Sequence, residues 1–313
     1  SKDCQIKCYP THKKLKPNKI DISTYKKEFS EDNIKNCMDE IKTLFAQHEF
    51  HIVFTLKEIT TIIEGVHQGV SGDFLERAQA LVSQGVLVLC VDVAHGHHIL
   101  MKEALETLRN ALGDELHIMA GNVATLQGVN DLADWGANSV RCNIGGGSIC
   151  STRIQTGHGL PGLETIFECA KTDRSVAIIA DGGIKNSGDM VKALAAGADA
   201  VMCGSIFSGT DETPGKIIEE SDGTRWKTYR GMASKEAQVN WRGKYSSHEG
   251  VSTRVPYRGS VNRLLEDLER GIRSGLSYSG ARSIPELQSK AEFVIQTSSG
   301  LGESKTHILN RAW

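Results

Sequence analysis

The part of the sequence best suited to chemistry is a run of three glycines that leads to a cysteine. The apolar residues 139–144 predict a buried strand, and glycines 145–147 follow it before Ser148 and Cys150. Glycine lets backbone N–H and C=O groups come close to a ligand, at an entropic cost on folding. A thiol at the tip of such a loop is a candidate nucleophile. The alternative is a flexible turn that carries an incidental cysteine.

The next two predicted strands also end in polar or glycine-rich tips. Asp181 follows the apolar residues 177–180 and precedes two glycines. Its carboxylate can accept hydrogen bonds from sugar hydroxyls, and the glycines let a phosphate approach backbone amides. Gly204 and Ser205 end the following strand and open a helical turn, which favours a phosphate. For Asp181 the alternative is an ordinary Asp-Gly turn.

Helical and strand patterns alternate through the chain and predict an α/β fold. Gly136 and Gly197 each follow a helical pattern and directly precede an apolar run, as expected for a glycine that ends a helix. Strands are predicted to begin near residues 61, 86, 117, 139, 177 and 199, in continuous apolar runs typical of strands buried on both faces. These units predict a parallel sheet, either doubly wound or closed. Polar tips on nearly every strand favour a (β/α)8 TIM barrel.

Two segments stand apart from this pattern. Residues 1–60 form a divergent N-terminal segment, and residues 61–313 are expected to form the catalytic barrel domain. Within that domain, residues 206–260 insert after the last predicted strand. A long segment with little apolar pattern inside a compact domain is typical of a lid. Glu249 in this lid is either an acid or base that reaches the cysteine, or a solvated surface glutamate.

A histidine-rich stretch follows Asp92 at the end of another predicted strand. The spacing of His95, His97 and His98 places at most two imidazoles on one face, and no carboxylate partner is evident nearby. This disfavours a metal site and favours a loop that contacts a cofactor or solvent.

Composition narrows the classes of partner and compartment. The 313 residues carry a formal net charge of −2 without a dominant Lys/Arg block, so neither nucleic acid nor an anionic membrane is an expected partner. No apolar run approaches the length of a membrane span, and no signal-peptide pattern opens the chain. The eight cysteines include no C-x-x-C pair, which disfavours zinc or a redox dithiol. A reducing, cytoplasmic setting is therefore expected.

Taken together, these motifs resemble the IMP dehydrogenase/GMP reductase family over residues 62–313. The family's first two barrel strands are not recognisable in residues 1–60, and Asn143 stands where the family usually has glycine. The resemblance rests on GGGSICSTR at 145–153, AGNV at 120–123, DGG at 181–183, GS at 204–205, YRGM at 229–232 and VPYRG at 255–259.

The resemblance implies a nucleotide oxidoreductase with a nicotinamide cofactor. Cys150 would attack C2 of a purine nucleotide, with Thr152 and Glu249 as further catalytic residues. Backbone carbonyls of Gly145, Gly147 and Cys150 would bind potassium, and family members are usually homotetramers. Asp92, Val93, Ala94 and Asn122 would contact the cofactor. The residues implied to bind the nucleotide are Ser148, Asp181, Gly183, Gly204, Ser205, Tyr229, Gly231, Met232 and Gly250.

Which reaction follows depends on the lid. The family's dehydrogenases carry an adjacent Arg-Tyr pair that activates water, and residues 238–250 contain none. This favours NADPH-dependent conversion of GMP to IMP and ammonia, as in a GMP reductase, although the pair of Thr152 and Glu249 is shared with the dehydrogenases. One alternative is oxidation of IMP to XMP with NAD. Another is a catalytically impaired purine-nucleotide-binding homologue, which the presence of Cys150, Thr152 and Glu249 disfavours.

Overall fold

The computed structural model describes residues 5–10, 50–55, 74–83, 88–213, 215–231, 234, 235, 239 and 250–306. The predicted strand near residue 61 lies outside these residues. Seven strands form the main sheet. They are β1 (Gln5–Pro10), β2 (Phe50–Thr55), β3 (Val88–Asp92), β4 (His117–Val123), β5 (Ser139–Cys142), β6 (Ala177–Asp181) and β7 (Ala200–Met202).

Five of these strands form a parallel arc in the order of the chain. Strands β3 to β7 pair with their sequence neighbours, with registers such as Leu89 opposite Ile118 and Val140 opposite Ile178. All four residues of β5 are buried, as expected for a strand covered on both faces. Strand β1 pairs antiparallel with both β2 and β7, so the N-terminal strands extend the sheet beyond β7.

Helices follow the parallel strands and cover the sheet. Leu105 and Leu108 on the second helix and Leu132 on the third are fully buried in the core cluster. These helices are α1 (Phe74–Ser83), α2 (Ile99–Leu112), α3 (Leu126–Asp134), α4 (Thr152–Thr156), α5 (Gly162–Cys169) and α6 (Ser187–Ala195).

Side-chain and glycine caps set the ends of these helices. The Thr125 hydroxyl accepts a hydrogen bond from the Gly128 amide at 3.1 Å and caps α3, while Asn186 caps α6 in the same way. Gly136 and Gly197 adopt φ values of 109° and 111° directly after α3 and α6. The predicted glycine stops are therefore confirmed, and each places the following strand in the sheet.

The segment predicted to be a lid contains a small antiparallel sheet. Strands β8 (Ile218–Glu219), β9 (Arg225–Arg230) and β10 (Ser252–Pro256) pair in the order β10-β9-β8. Sequence patterning missed it because β9 is polar along most of its length. Its one buried residue is Lys227, whose ammonium group donates to the carbonyls of Thr210, Asp211 and Thr213.

Three helices follow the small sheet: α7 (Val261–Tyr278), α8 (Ile284–Lys290) and α9 (Ser298–Glu303). Helix α7 packs closely against α6, since a Cβ on Gly275 would lie 2.6 Å from a methyl of Val191. Among the helices of the described residues, none combines the length and apolar character needed to span a membrane.

Candidate active site

The cysteine loop (residues 143–150) joins β5 to α4 and places a thiol beside a hydroxyl. The Cys150 amide donates to the Gly147 carbonyl at 3.1 Å, which closes a tight turn. The Cys150 thiol donates to Oγ1 of Thr152 at 3.1 Å. Thr152 is buried at the start of α4, whereas Cys150 is partly exposed. The two predicted catalytic residues are therefore in contact.

The glycines of the loop are required by what lies beneath them. A Cβ on Gly146 would lie 2.0 Å from Nδ2 of Asn143, and a Cβ on Gly145 would lie 2.6 Å from Cγ of Arg153. Real Cβ atoms do not approach other atoms this closely, so both positions need glycine for close packing. Gly145 also adopts a φ of 70°. The loop is a packed structure on top of these two side chains and not a flexible turn.

Asp181, the predicted ribose ligand, lies at the tip of β6 in a network of hydrogen bonds. Its Oδ2 accepts from Nδ2 of Asn122 at 2.7 Å and from Nη2 of Arg141 at 2.7 Å. Arg141 also pairs with Asp92 at 2.6 Å, so one guanidinium joins two strand tips. Burial opposes the charge of Arg141, but Asp181 and Asp92 together raise its pKa well above the ordinary value.

Sequence reasoning did not select Arg141. A signal was available, because an arginine within an apolar run must be paired if the run is a buried strand. Its pairing brings the predicted ribose ligand Asp181 and the predicted cofactor residue Asp92 onto one guanidinium.

Predicted phosphate ligands from three elements meet near the same place. The hydroxyl of Tyr229 on β9 lies 3.4 Å from Oγ of Ser148 in the cysteine loop. A Cβ built on Gly204 would lie 3.4 Å from the same tyrosine oxygen. Ser205 opens a short 3-10 helix next to Gly204. Gly183, two residues after Asp181, has a φ of 78°, and a Cβ on it would lie 3.6 Å from the Gly146 carbonyl oxygen of the cysteine loop. The small sheet of the lid thus contributes directly to this group.

The end of the lid contacts the cysteine loop through its backbone. Gly250 forms an antiparallel bridge with Cys150, and the Val251 amide donates to the Ile149 carbonyl at 3.0 Å. The Gly231 amide donates to the Val251 carbonyl at 3.2 Å. Met232 and Glu249 lie outside the described residues. Their predicted roles stay predictions.

The predicted cofactor residues lie on two neighbouring tips. The Val93 amide donates to the Gly121 carbonyl at 2.8 Å and the Asn122 amide donates to the Val93 carbonyl at 3.0 Å, which joins the ends of β3 and β4. Ala94 is exposed next to them. Oδ1 of Asn122 is buried and has no hydrogen-bond partner among the described residues. The side chain of Asp92 at the same tips keeps 28% of its surface exposed. Its carboxylate is an accessible acceptor for the N–H groups of a primary carboxamide, so these residues fit a nicotinamide group.

The chain carries a thiol loop and a carboxylate at adjacent strand tips of a parallel barrel arc. This is the arrangement of TIM-barrel enzymes, whose sites lie at the carboxyl ends of the strands. Residues 55–307 match the profile of the IMP dehydrogenase / GMP reductase domain, and the chain belongs to this family. The match covers the arc, the cysteine loop and the lid.

The similar proteins include IMP dehydrogenases as well as GMP reductases. The chain is 44% identical over 259 residues to inosine-5'-monophosphate dehydrogenase of Nitrosopumilus maritimus, covering 78% of this chain and 54% of the relative. It is 40% identical over 270 residues to GMP reductase of Leishmania major, covering 82% and 55%. It thus spans about half the length of these curated relatives.

Solved structures of both enzymes also resemble this chain. A crystal structure of Trypanosoma brucei GMP reductase in complex with guanosine 5'-monophosphate aligns with a TM-score of 0.73 at 40% identity, over 76% of this chain and 51% of that one. The inosine 5'-monophosphate dehydrogenase of Legionella pneumophila aligns with a TM-score of 0.66 at 46% identity, over 77% and 78%. Both the predicted family and the TIM-barrel class are confirmed, whereas the choice between the two reactions is not resolved.

Proposed function

We propose that this chain is a purine-nucleotide oxidoreductase and, more specifically, an NADPH-dependent GMP reductase. The observation that supports the oxidoreductase class is the contact between the Cys150 thiol and the Thr152 hydroxyl, beside the tip of β6 that carries Asp181. The choice of the reductase rests on residues 238–250, which contain no adjacent Arg-Tyr pair. A nucleophile with an adjacent hydroxyl next to a sugar-binding carboxylate suits attack on the base of a bound nucleotide.

In this proposal the nucleotide lies across the strand tips. Asp181 accepts hydrogen bonds from the ribose hydroxyls, and its charge is held in place by Arg141 and Asn122. Ser148 and Tyr229 donate to the phosphate from the cysteine loop and from β9. The backbone amides of Gly183, Gly204 and Ser205 complete the phosphate site. Gly231, Met232 and Gly250 line the base from the lid side.

The covalent step begins at the Cys150 sulfur. The thiolate attacks C2 of the guanine ring, the bond from C2 to the amino nitrogen breaks, and ammonia leaves after protonation. Thr152 and Glu249 together supply that proton, which accounts for the hydroxyl beside the thiol. When bound, NADPH supplies the hydride that C2 then receives. The bond between C2 and sulfur breaks last, which returns the electron pair to Cys150 and releases IMP.

The remaining parts of the proposal concern bound groups and assembly. Asp92, Val93, Ala94 and Asn122 contact the nicotinamide end of the cofactor, in line with the exposed part of the Asp92 carboxylate. The carbonyls of Gly145, Gly147 and Cys150 bind a potassium ion, since backbone carbonyls are the donors that suit this cation. The protein acts as a homotetramer in the cytoplasm.

A second candidate is oxidation of IMP to XMP with NAD. It is favoured by the relative from Nitrosopumilus maritimus, a dehydrogenase whose 44% identity exceeds the 40% of the Leishmania major reductase. The same thiol would attack C2 of IMP, and C2 would give up its hydride to NAD when that cofactor is bound. Water would then attack C2, which breaks the bond to sulfur and releases XMP.

One assay separates these candidates. Purified protein receives GMP with NADPH, and separately IMP with NAD, while the nicotinamide absorbance is followed. Oxidation of NADPH with GMP alone is the expected result, whereas NADH formed from IMP would establish the dehydrogenase instead. Silence in both assays with nucleotide binding retained would indicate the catalytically impaired homologue.

A paired substitution tests the nucleophile. Cys150→Ala should lower turnover by at least about a thousandfold while nucleotide binding, measured by calorimetry, persists. Cys169→Ala, which removes a buried thiol on α5, should retain turnover. Turnover that survives in Cys150→Ala would remove Cys150 from the mechanism.

A further inference from the structure

Asn143, the residue at which the cysteine loop leaves β5, has an unusual backbone conformation. Its φ is 114°, and it is the one non-glycine residue with a positive φ in the described part of the chain. It is also 96% buried, with a relative exposure of 4%. Asparagine enters this region more readily than most residues, but such conformations persist only where surrounding contacts hold them.

The contacts of Asn143 connect three elements. Its Nδ2 donates to the backbone carbonyl of Asp181 at 2.9 Å, and its Oδ1 accepts from Nη2 of Arg153 on α4 at 2.8 Å. Its backbone amide donates to the Val123 carbonyl at 2.8 Å, and its own carbonyl accepts from Nδ2 of Asn122 at 2.9 Å. The amide side chain thus lies between the tip of β6 and the helix that begins at Thr152.

The contacts of Asn143 matter because there is open space behind the cysteine loop. A cavity of about 240 Å³ lies between the loop and helices α5 and α6, and Asn143, Gly146, Arg153 and Gly182 line it. A loop without ties would have room to shift into this cavity. Gly146 rests directly on the Asn143 amide, so the side chain also supports the middle of the loop from below.

We propose that Asn143 is a positioning residue that fixes the cysteine loop relative to the tip of β6. It holds the Cys150 thiol at the correct distance from a nucleotide anchored by Asp181, a step that rests on the proposed function. The carboxylate of Asp181 has its own partners in Arg141 and Asn122. Removing the Asn143 side chain therefore displaces the thiol and leaves the ribose ligand in place.

The first test separates rate from binding. Asn143→Gly introduces the residue that the family usually has at this position; it removes both amide contacts and adopts the same φ without strain. A loss is expected in this chain because its loop packs on the Asn143 amide at Gly146, a support that glycine does not provide. We expect kcat to fall by about ten- to a hundredfold, because small misplacements of reacting groups are costly, while the nucleotide Kd changes by less than about threefold. An unchanged kcat, or equal losses in kcat and affinity, would overturn the proposal.

The second test does not depend on turnover. Alkylation of Cys150 by iodoacetamide, followed by mass spectrometry without nucleotide, should be faster in Asn143→Gly by about threefold or more, because the thiol loses its fixed position beside Thr152. Cys142 and Cys169 are buried and should stay unmodified in both proteins. An unchanged alkylation rate would overturn the inference about Asn143, whether or not the protein turns over a nucleotide. Absence of turnover with both nucleotides would contradict only the proposed function.

Two further variants test whether the changes in kcat and alkylation come from the side-chain contacts of Asn143. Asn143→Asp keeps an acceptor for Arg153 and loses the donor to the Asp181 carbonyl, so it should resemble Asn143→Gly; wild-type kcat and alkylation would overturn the proposal. Asn130→Gly is the matched control on α3, where it removes a 2.6 Å hydrogen bond with Thr172. It should lower stability and leave the alkylation rate unchanged. An equal rise in both glycine variants would indicate general loosening and overturn the proposal.

Discussion

Arg141 is a full positive charge in the middle of a strand whose four residues are all buried. It is tolerated because Asp92 and Asp181 lie 2.6 Å and 2.7 Å from its guanidinium nitrogens. Buried pairs contribute little net stability, but removing one partner leaves an uncompensated charge. At the residue scale, this arginine determines where both carboxylates lie.

We therefore expect Arg141→Gln to lower the free energy of unfolding by about 3–5 kcal/mol, because two carboxylates would lose their common partner. Urea denaturation measures this loss. The control is Arg174→Gln, which removes an arginine paired with Asp134 and Asp173 on the surface. That change should be nearly neutral, since exposed pairs are screened by solvent. Equal effects of the two substitutions would contradict the role given to Arg141.

His117 gives a prediction about pH. Burial, followed by the charge of Arg109, lowers the pKa of His117 in the folded protein. Its ring lies 2.8 Å from the hydroxyl of Ser139. In the unfolded chain a histidine titrates near pH ~6.5. Below that pH the unfolded state binds a proton that the folded state does not. The stability contribution is therefore complete above the pKa of the unfolded chain and is lost as the pH falls from there towards the folded pKa.

His117→Asn should therefore reduce the loss of unfolding free energy between about pH 7.5 and pH 5.5, measured by urea denaturation. The control is Thr125→Asn at the N-terminus of α3, where Thr125 accepts a hydrogen bond from the Gly128 amide. Asparagine is also a favourable cap there, and the substitution changes no ionisable group. This control should keep the pH dependence of the wild type. The same pH dependence in both variants would exclude His117 as its source.

At the scale of elements, the cysteine loop is defined by the pair of Gly146 and Asn143. Gly146→Ala should destabilise the protein by about 1–3 kcal/mol, because the new methyl group has no space beside the Asn143 amide. Gly147→Ala is the matched control, since its Cβ would meet only Cys150 at an ordinary 3.5 Å. Thermal unfolding compares the two.

A double substitution tests this explanation further. Asn143→Gly with Gly146→Ala should cost less than the sum of the two single changes, because removing the amide makes room for the methyl group. Strict additivity would show that the two side chains do not compete for the same space.

The same elements show what could be predicted from the sequence. Strands β3 to β7 and their glycine tips were predictable, because buried strands are continuous apolar runs and helix ends need glycine. The sheet formed by β8, β9 and β10 was not, since polar side chains dominate a strand exposed to solvent. The roles of Arg141, Asn143 and Arg153 depend on contacts between residues that lie apart in sequence, which spacing alone does not reveal.

At the scale of the whole molecule, the candidate site is assembled from the barrel arc together with the segment predicted to be a lid. The barrel arc supplies Cys150 and Asp181, while the lid supplies Tyr229 and Gly250. Lys227 anchors the small sheet by donating hydrogen bonds to three backbone carbonyls in the turn at residues 210–213, shortly after β7. The site therefore depends on a lid attachment that lies outside the site itself.

The buried ammonium of Lys227 makes it a natural reporter for chemical labelling. Burial lowers its pKa, which by itself would favour acylation, but its exposure is only 3% and its protons are held by carbonyls. We expect the access of the reagent to the amine to determine the rate of acylation. Lys227 should therefore react with an amine-acylating reagent about tenfold more slowly than exposed Lys192, as measured by peptide mapping. Similar rates would show that the attachment is often broken. Labelling at residue 227 would then time the release of the lid from the barrel.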